Sequence, residues 1–239
     1  MSAGRTARER VRAELISEIT EIARRQLATA GAAGLSLRAV AREMGMVSSA
    51  IYRYFPSRDD LLTVLIIDGY NALGEVAERA DDAVRDDRPD AFGERWLAVC
   101  RAVREWALAH PHEFALLYGS PVPGYRAPQD TVAAAVRDTV VYARIVTEAH
   151  AAGALAPAGP CPPAPPAIAA DMARVRDGVG LDVPEDVAAR AVTAWTGLFG
   201  TLSFELFGSF DNTIEDRAVY FDHSMALLGR LAGFDMPRS

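Results

Sequence analysis

The sequence predicts an all-α protein. Apolar residues recur every three or four positions over long stretches, these stretches end at Gly or Pro, and no segment of useful length alternates apolar and polar residues as a half-buried strand would. Half of the 239 residues are hydrophobic, enough for a sizeable core divided between a small unit and a larger one. The net charge of -7 argues against a protein that coats nucleic acid without specificity, because that task needs a basic surface. The charge is uneven, however: residues 1–60 hold ten Arg against seven acids, net +3, and the remainder carries -10.

The first helix is expected from about Thr6 to Ala30, with Val11, Leu15, Ile19, Ile22, Ala23 and Leu27 in one apolar stripe, ending near Gly31 and Gly34. Ser36 is placed to cap a second helix whose inner face is Leu37, Val40, Ala41 and Met44. Gly45 supplies the positive backbone angle that closes it. A third helix starts at Val47 or Ser48, with Ile51 and Phe55 facing inward and Ser48, Ser49, Tyr52, Arg53 and Tyr54 facing outward. Two short helices about a tight glycine turn, the second rich in hydroxyl and guanidinium donors, form a helix-turn-helix suited to base edges and phosphates in a major groove.

Pro56 breaks the chain, and Ser57 followed by Asp60 reads as a capping box that restarts it. The fourth helix runs to about Val84, too long for the small unit alone. The acidic run Asp81, Asp82, Asp86 and Asp87 reads as a solvated helix end rather than a metal site. Further helices are expected over about Ala91–Ala109, His112–Tyr118 and Val132–Ala152, with a loop at 119–128 and a stiff Pro-rich connector at 157–166. Two more, Pro184–Gly208 and Thr213–Ala232, complete the chain.

The run from Leu35 to Leu61, with its Tyr-x-x-Phe-Pro-Ser-Arg segment behind one long amphipathic helix, closely resembles the DNA-binding domain of the TetR family of bacterial transcriptional regulators. The resemblance covers about residues 10–75; beyond that it is one of helical architecture. It implies an N-terminal three-helix helix-turn-helix domain, residues 1–57, and a larger helical ligand-binding and dimerisation domain, residues 58–239. It also implies a homodimer, a palindromic operator in double-stranded DNA, and a small-molecule effector that switches the spacing of the two recognition helices. Carried onto this sequence, Ser36, Tyr52, Tyr54 and Arg58 fall at positions that hold the DNA backbone. Ser48, Ser49, Ala50 and Arg53 fall where bases are read, and Arg38 is counted among the DNA-binding residues as a whole. Val47 departs from the pattern, which often has Ser or Thr there as cap. The segment Trp195–Phe207 resembles a subgroup whose ligand domain is named for Trp, His and Gly, with Phe199 in place of the His.

Arg5, Arg8, Arg10 and Arg12 form either an arm reaching a minor groove or phosphates, or a plain solvated tail. The last two helices read as a self-packing pair that pairs again across a dimer through Trp195, Leu198, Leu202, Leu206, Tyr220, Met225 and Leu228. Aromatics of the middle helices and beyond, Tyr70, Trp96, Trp106, Phe114, Tyr118, Tyr142 and Phe199, suit an apolar or aromatic effector, though core packing alone also accounts for most of them.

No phosphate-cradling loop, nucleophile elbow or zinc helix occurs, so no enzyme, cofactor or metal is expected. Cys100 and Cys161 make neither a disulfide framework nor a zinc set. The run Leu61–Ile67 is too short to span a bilayer, and a soluble cytoplasmic protein is expected. The contrasting reading is a helical interaction or adaptor protein that keeps the motif only as scaffold.

Overall fold

The computed structural model describes residues 7–157, 159 and 161–237. Its helices, in order, are α1 Ala7–Ala30, α2 Leu37–Glu43, α3 Ser48–Ile51, α4 Arg58–Arg85, α5 Phe92–Ala109, α6 Pro111–Tyr118, α7 Val132–Ala135, α8 Arg137–Ala151, α9 Ala169–Val179, α10 Glu185–Leu206 and α11 Arg217–Ala232. Among the described residues there is no strand. The chain forms two compact units, Met1–Gly69 with His112–Thr131, and Tyr70–Pro111 with Val132–Ser239, so α4 contributes to both.

The first unit is built around α1, which buries Ile19, Ile22, Ala23 and Leu27 against Leu37, Val40 and Ala41 of α2, Ile51 of α3 and Leu61, Leu62 and Leu65 of α4. Each of the Ile, Leu and Val side chains, fully buried, contributes about 1.5–3 kcal/mol, and each Ala methyl less. Val11, expected in the same stripe, is exposed, because the core begins only at Ile16. Helix α2 ends in a Schellman turn: the Met46 N–H bonds the Ala41 carbonyl (2.8 Å) and the Gly45 N–H bonds that of Arg42 (3.1 Å). Gly45 sits at φ +67 with open space around it, so conformation, not room, requires glycine there. At the start of α4 the Asp60 N–H bonds Ser57 Oγ (3.2 Å) as in a capping box, and Asp60 Oδ2 returns a bond by accepting from the Ser57 hydroxyl (2.6 Å). Arg24 of α1 then ties α4 and α6 through Asp68 (2.8 Å) and Glu113 (3.9 Å).

In the second unit the acidic run is not all solvated. Asp81 is fully buried, and its carboxylate takes a bidentate bond from the equally buried Arg95 of α5 (2.7 and 3.1 Å) and another from Arg144 of α8 (2.6 Å). Arg95 also reaches Glu148 (2.7 Å) and the Pro89 carbonyl (2.9 Å), so every nitrogen of its guanidinium has a partner. The sequence shows the acids at a helix end; it does not show that Arg95 and Arg144 return to one of them.

Two helix boundaries differ from expectation, and one helix is unexpected. The expected Val132–Ala152 helix breaks for one residue at Val136 (φ -97, ψ -1). Helix α11 starts at Arg217 rather than Thr213, because Asp216 caps it by accepting from the Val219 N–H (3.0 Å). Helix α9 is absent from the sequence reading, which passes over it beyond the Pro-rich connector. It buries no residue fully, although Met172, Val175 and Val179 recur at helical spacing and Gly180 closes it in the left-handed region.

Removing one side of the buried ion cluster isolates the charge opposite. Asp81→Ala should destabilise the protein by about 3–5 kcal/mol in urea unfolding, since Arg95 then lies buried with its main partner gone.

Candidate nucleic-acid interface and apolar cavity

Ser36 caps α2 in extended conformation (φ -139, ψ 114), its Oγ accepting from the Ala39 N–H at 3.4 Å. The Ser36 N–H in turn donates to Gln26 Oε1 (3.2 Å), so α1 positions the cap. After the Gly45 turn, Val47 serves as the N-cap of α3 with no side-chain bond, which places the helix start at Ser48. As an α-helix α3 closes at Ile51, and turn bonds carry the chain on through Phe55, whose conformation Pro56 restricts.

With Ile51 and Phe55 anchored in the core, Ser48, Ser49, Tyr52 and Arg53 stand exposed on the opposite face, and Arg38 is exposed on α2. Tyr52 shows 42% of its surface to solvent, a large aromatic exposure for a folded domain. Ala50 is half-buried at the edge of this face. Two expected members are engaged within the protein. Tyr54 is partly buried against the core, with the Arg12 guanidinium 5.3 Å from its ring centre. Arg58 bonds the Ala32 carbonyl at 2.6 Å, bracing the turn that precedes α2. Arg8, Arg10 and Arg12 are not an arm, since they lie on the first turns of α1; Arg5 lies outside the described residues.

The second unit contains an apolar cavity of about 390 Å³ between α5, α7, α8, α9 and α10. Its aromatic wall is Trp96, Tyr142 and Trp195, and Val175 and Val179 of α9 form part of the opposite side. Of the aromatics expected to contact an effector, only Trp96 and Tyr142 line it. Tyr70 and Phe199 lie in the same unit but off the wall, Phe199 against Trp195 at 5.3 Å between ring centres. Trp106 stacks on His110. Phe114 and Tyr118 pair on α6, in the other unit. Aromatic residue type alone does not separate a cavity wall from ordinary core.

Behind this wall lies Asp138, in the first turn of α8 and almost wholly buried. Burial raises its carboxyl from the ordinary value to about 6, against the opposing effects of the Thr139 N–H and the Trp195 indole. Asp138 Oδ2 and Trp195 Nε1 nonetheless complete no hydrogen bond, although the indole is near enough to favour the carboxylate. The sequence carries a signal for Asp138: it sits three and four residues before Val141 and Tyr142, on the inward stripe of the helix.

The expected dimer residues divide as well. Leu198, Leu202 and Met225 are fully buried where α10 and α11 pack together, and Trp195 is half-buried on the cavity. The packing is close enough that a Cβ on Gly197 would lie 2.7 Å from the Leu228 side chain. Leu206 and Leu228 are half-buried; Tyr220 is exposed, as are Phe204 (55%), Phe207 (50%) and Leu227.

Residues 19–65 match the family described as bacterial regulatory proteins, tetR family, and residues 96–228 match the tetracyclin repressor-like C-terminal domain. HTH-type transcriptional regulators of Mycobacterium tuberculosis and Mycobacterium bovis are 40% identical over 226 residues, covering 94% of this chain and 93% of theirs. The chain belongs to the TetR family of transcriptional regulators. Among solved structures, the regulatory protein SCO4313 is 35% identical with a TM-score of 0.75, over 93% of this chain and 98% of its own. A Rhodococcus protein of unknown function is 27% identical with a TM-score of 0.65, over 91% and 93%.

As a TetR-family member the chain is a DNA-binding transcriptional regulator with a C-terminal ligand-binding domain. Among the described residues no helix is long and apolar enough to cross a membrane.

Asp138 gives this TetR-family regulator a testable pH dependence. Its folded value lies above its unfolded one, so the stability it permits is full below pH 3.8 and is lost as pH rises to about 6. Asp138→Asn should therefore unfold later than the parent at pH 7.5, by roughly 1–3 kcal/mol. The gap should close near pH 4 in parallel denaturation curves.

Proposed function

We propose that the protein is a repressor of the bacterial cytoplasm that occupies a palindromic operator and releases it when a small apolar or aromatic effector fills the cavity. The observation that carries this reading is the presence in one chain of an exposed donor face, Ser48, Ser49, Tyr52 and Arg53, and an apolar cavity in a separate unit. Residues 1–57 act as the DNA-binding domain and 58–239 as the ligand-binding and dimerisation domain.

In this reading α3 enters the major groove. Ser48 and Arg53 address base edges, with Ser49 and Ala50 beside them, while Tyr52, Ser36 and Arg38 hold the backbone. Tyr54 and Arg58 support these residues from behind, given the contacts they already make. Because a single unit reads only a half-site, the operator requires a second copy. The exposed Phe204, Phe207, Tyr220 and Leu227 on and just after α10 and on α11 are the apolar surface suited to a two-fold contact, in place of the buried Leu198, Leu202 and Met225.

An effector acts by its differential affinity for the DNA-competent and DNA-incompetent forms. Ligand binding inside the second unit can reach the first along α4, the helix that belongs to both.

Genomic fragments selected by the pure protein should share a palindrome, bound in mobility shifts at low salt without ligand. Tyr52→Phe should weaken all selected sites about equally, whereas Ser48→Ala or Arg53→Ala should change the preferred bases. Absence of any palindromic site would favour the adaptor reading, and full affinity in Tyr52→Phe would contradict the docking.

A further inference from the structure

The cavity wall is formed mostly of Val and Ala side chains with Trp96, Tyr142 and Trp195. One corner differs. There Trp195 turns a buried indole N–H away from solvent, and Asp138 Oδ2 stands near it, each without a hydrogen-bond partner. The residues flanking Asp138 toward the cavity, Ala135 of α7 and Thr139 and Tyr142 of α8, all line the wall while Asp138 itself does not, which puts the carboxyl one layer behind it. A buried carboxylate left partly unmet opposes folding, and residues of that kind beside a cleft mark functional sites.

The two atoms are a donor and an acceptor that stand near each other and do not meet, so a group that bridges them has to donate to one and accept from the other. Asp138 Oδ2 needs a donor, and Trp195 Nε1 needs an acceptor. A ligand carboxylate satisfies the indole but sets its own charge against Asp138. Arg174 does not offset this, because it lies at the rim, largely exposed and paired with Asp171. An ammonium satisfies Asp138 and leaves the indole unmet. A hydroxyl donates and accepts from the same atom.

Resting on the reading of this cavity as the effector site, we propose that the effector is an apolar molecule bearing a hydroxyl, which donates to Asp138 Oδ2 and accepts from Trp195 Nε1. A cavity of about 390 Å³ is small among ligand pockets, which suits a body of one or two rings. The half-buried Trp195 ring turns to admit the hydroxyl, so its environment changes on binding. The other groups facing this corner are the Thr139 side chain on α8 and the Tyr70 phenol of α4, whose proton is held more tightly by burial and, in addition, by the Asp138 charge.

The test compares 2-naphthol, 2-methylnaphthalene and 2-naphthoate by calorimetry at pH 7.5 on the full chain, as wild type, Asp138→Ala and Trp195→Phe. Wild type should bind 2-naphthol about tenfold or more tightly than the methyl isostere and discriminate further against the acid, in line with a hydrogen bond to a charged group. The hydroxyl advantage should shrink to under about threefold in either variant. Equal affinity for the hydroxyl and methyl compounds in wild type overturns the proposal while leaving the cavity as an apolar effector site. Tightest binding of 2-naphthoate, or an undiminished hydroxyl advantage in both variants, also overturns it. If wild type binds none of the three, both the proposal and the assignment of the cavity fail. Should Asp138→Ala not fold, the wild-type comparison and Trp195→Phe decide the matter.

Discussion

The buried carboxylate of Asp81 is the constraint on which the ligand-binding unit depends. It holds Arg95 of α5 and Arg144 of α8 at once, and Arg95 passes the connection on to Glu148. The residue after Arg95 is Trp96, which lines the cavity and donates its indole N–H to the Met225 carbonyl of α11 (2.8 Å). Two residues before Arg144 stands Tyr142, the next part of the wall. The ion cluster therefore fixes the two helices that present the cavity's aromatic side. Such a cluster adds little net stability over a hydrophobic replacement of the same shape, but removing one member is costly. Its contribution here is geometric, because it joins one residue of α4 to both α5 and α8.

The DNA-binding unit reaches definition by a different route, through local backbone chemistry. The Gly45 turn, the Ser36 cap held by Gln26 and the capping box of Ser57 and Asp60 each fix a few residues, and together they set the direction of α3. Arg24 and Arg25 are taken up by ion pairs with Asp68 and Glu43 (2.6 Å). Arg38, Arg42 and Arg53 remain exposed. The separation of a basic reading unit from an acidic remainder thus explains how an acidic chain can bind DNA with specificity and without general affinity.

The difference in mechanism also decides what the sequence reveals. Gly45, Ser36 and Ser57 act on neighbours within a few positions, so residue type and spacing are enough to place them. Asp81 and Arg95, fourteen positions apart, meet only because α4 and α5 turn back on one another, and the acidic surroundings of Asp81 suggest a solvated end. Leu198, Leu202 and Met225 read as an interface because an apolar stripe looks the same whether its partner is another helix of the chain or another chain. Trp195 reads as interface for the same reason, and the structure turns it to the cavity. Helix α9 is not legible in the sequence because its apolar residues are only half-covered and the stretch before it is Pro-rich. Asp138 is legible only as an acid on an inward stripe, because its role depends on the α10 residue near it.

In the proposed function, occupancy of the cavity and occupancy of DNA oppose one another through α4. The direct measurement is the Kd for a selected operator, followed by fluorescence anisotropy as the cavity is filled with a ligand whose binding calorimetry has established. Linkage requires that Kd rise and level off at the concentration that saturates the cavity, and that operator DNA weaken ligand binding by the same factor. An operator Kd that stays constant at full cavity occupancy would contradict ligand-controlled DNA binding in this protein.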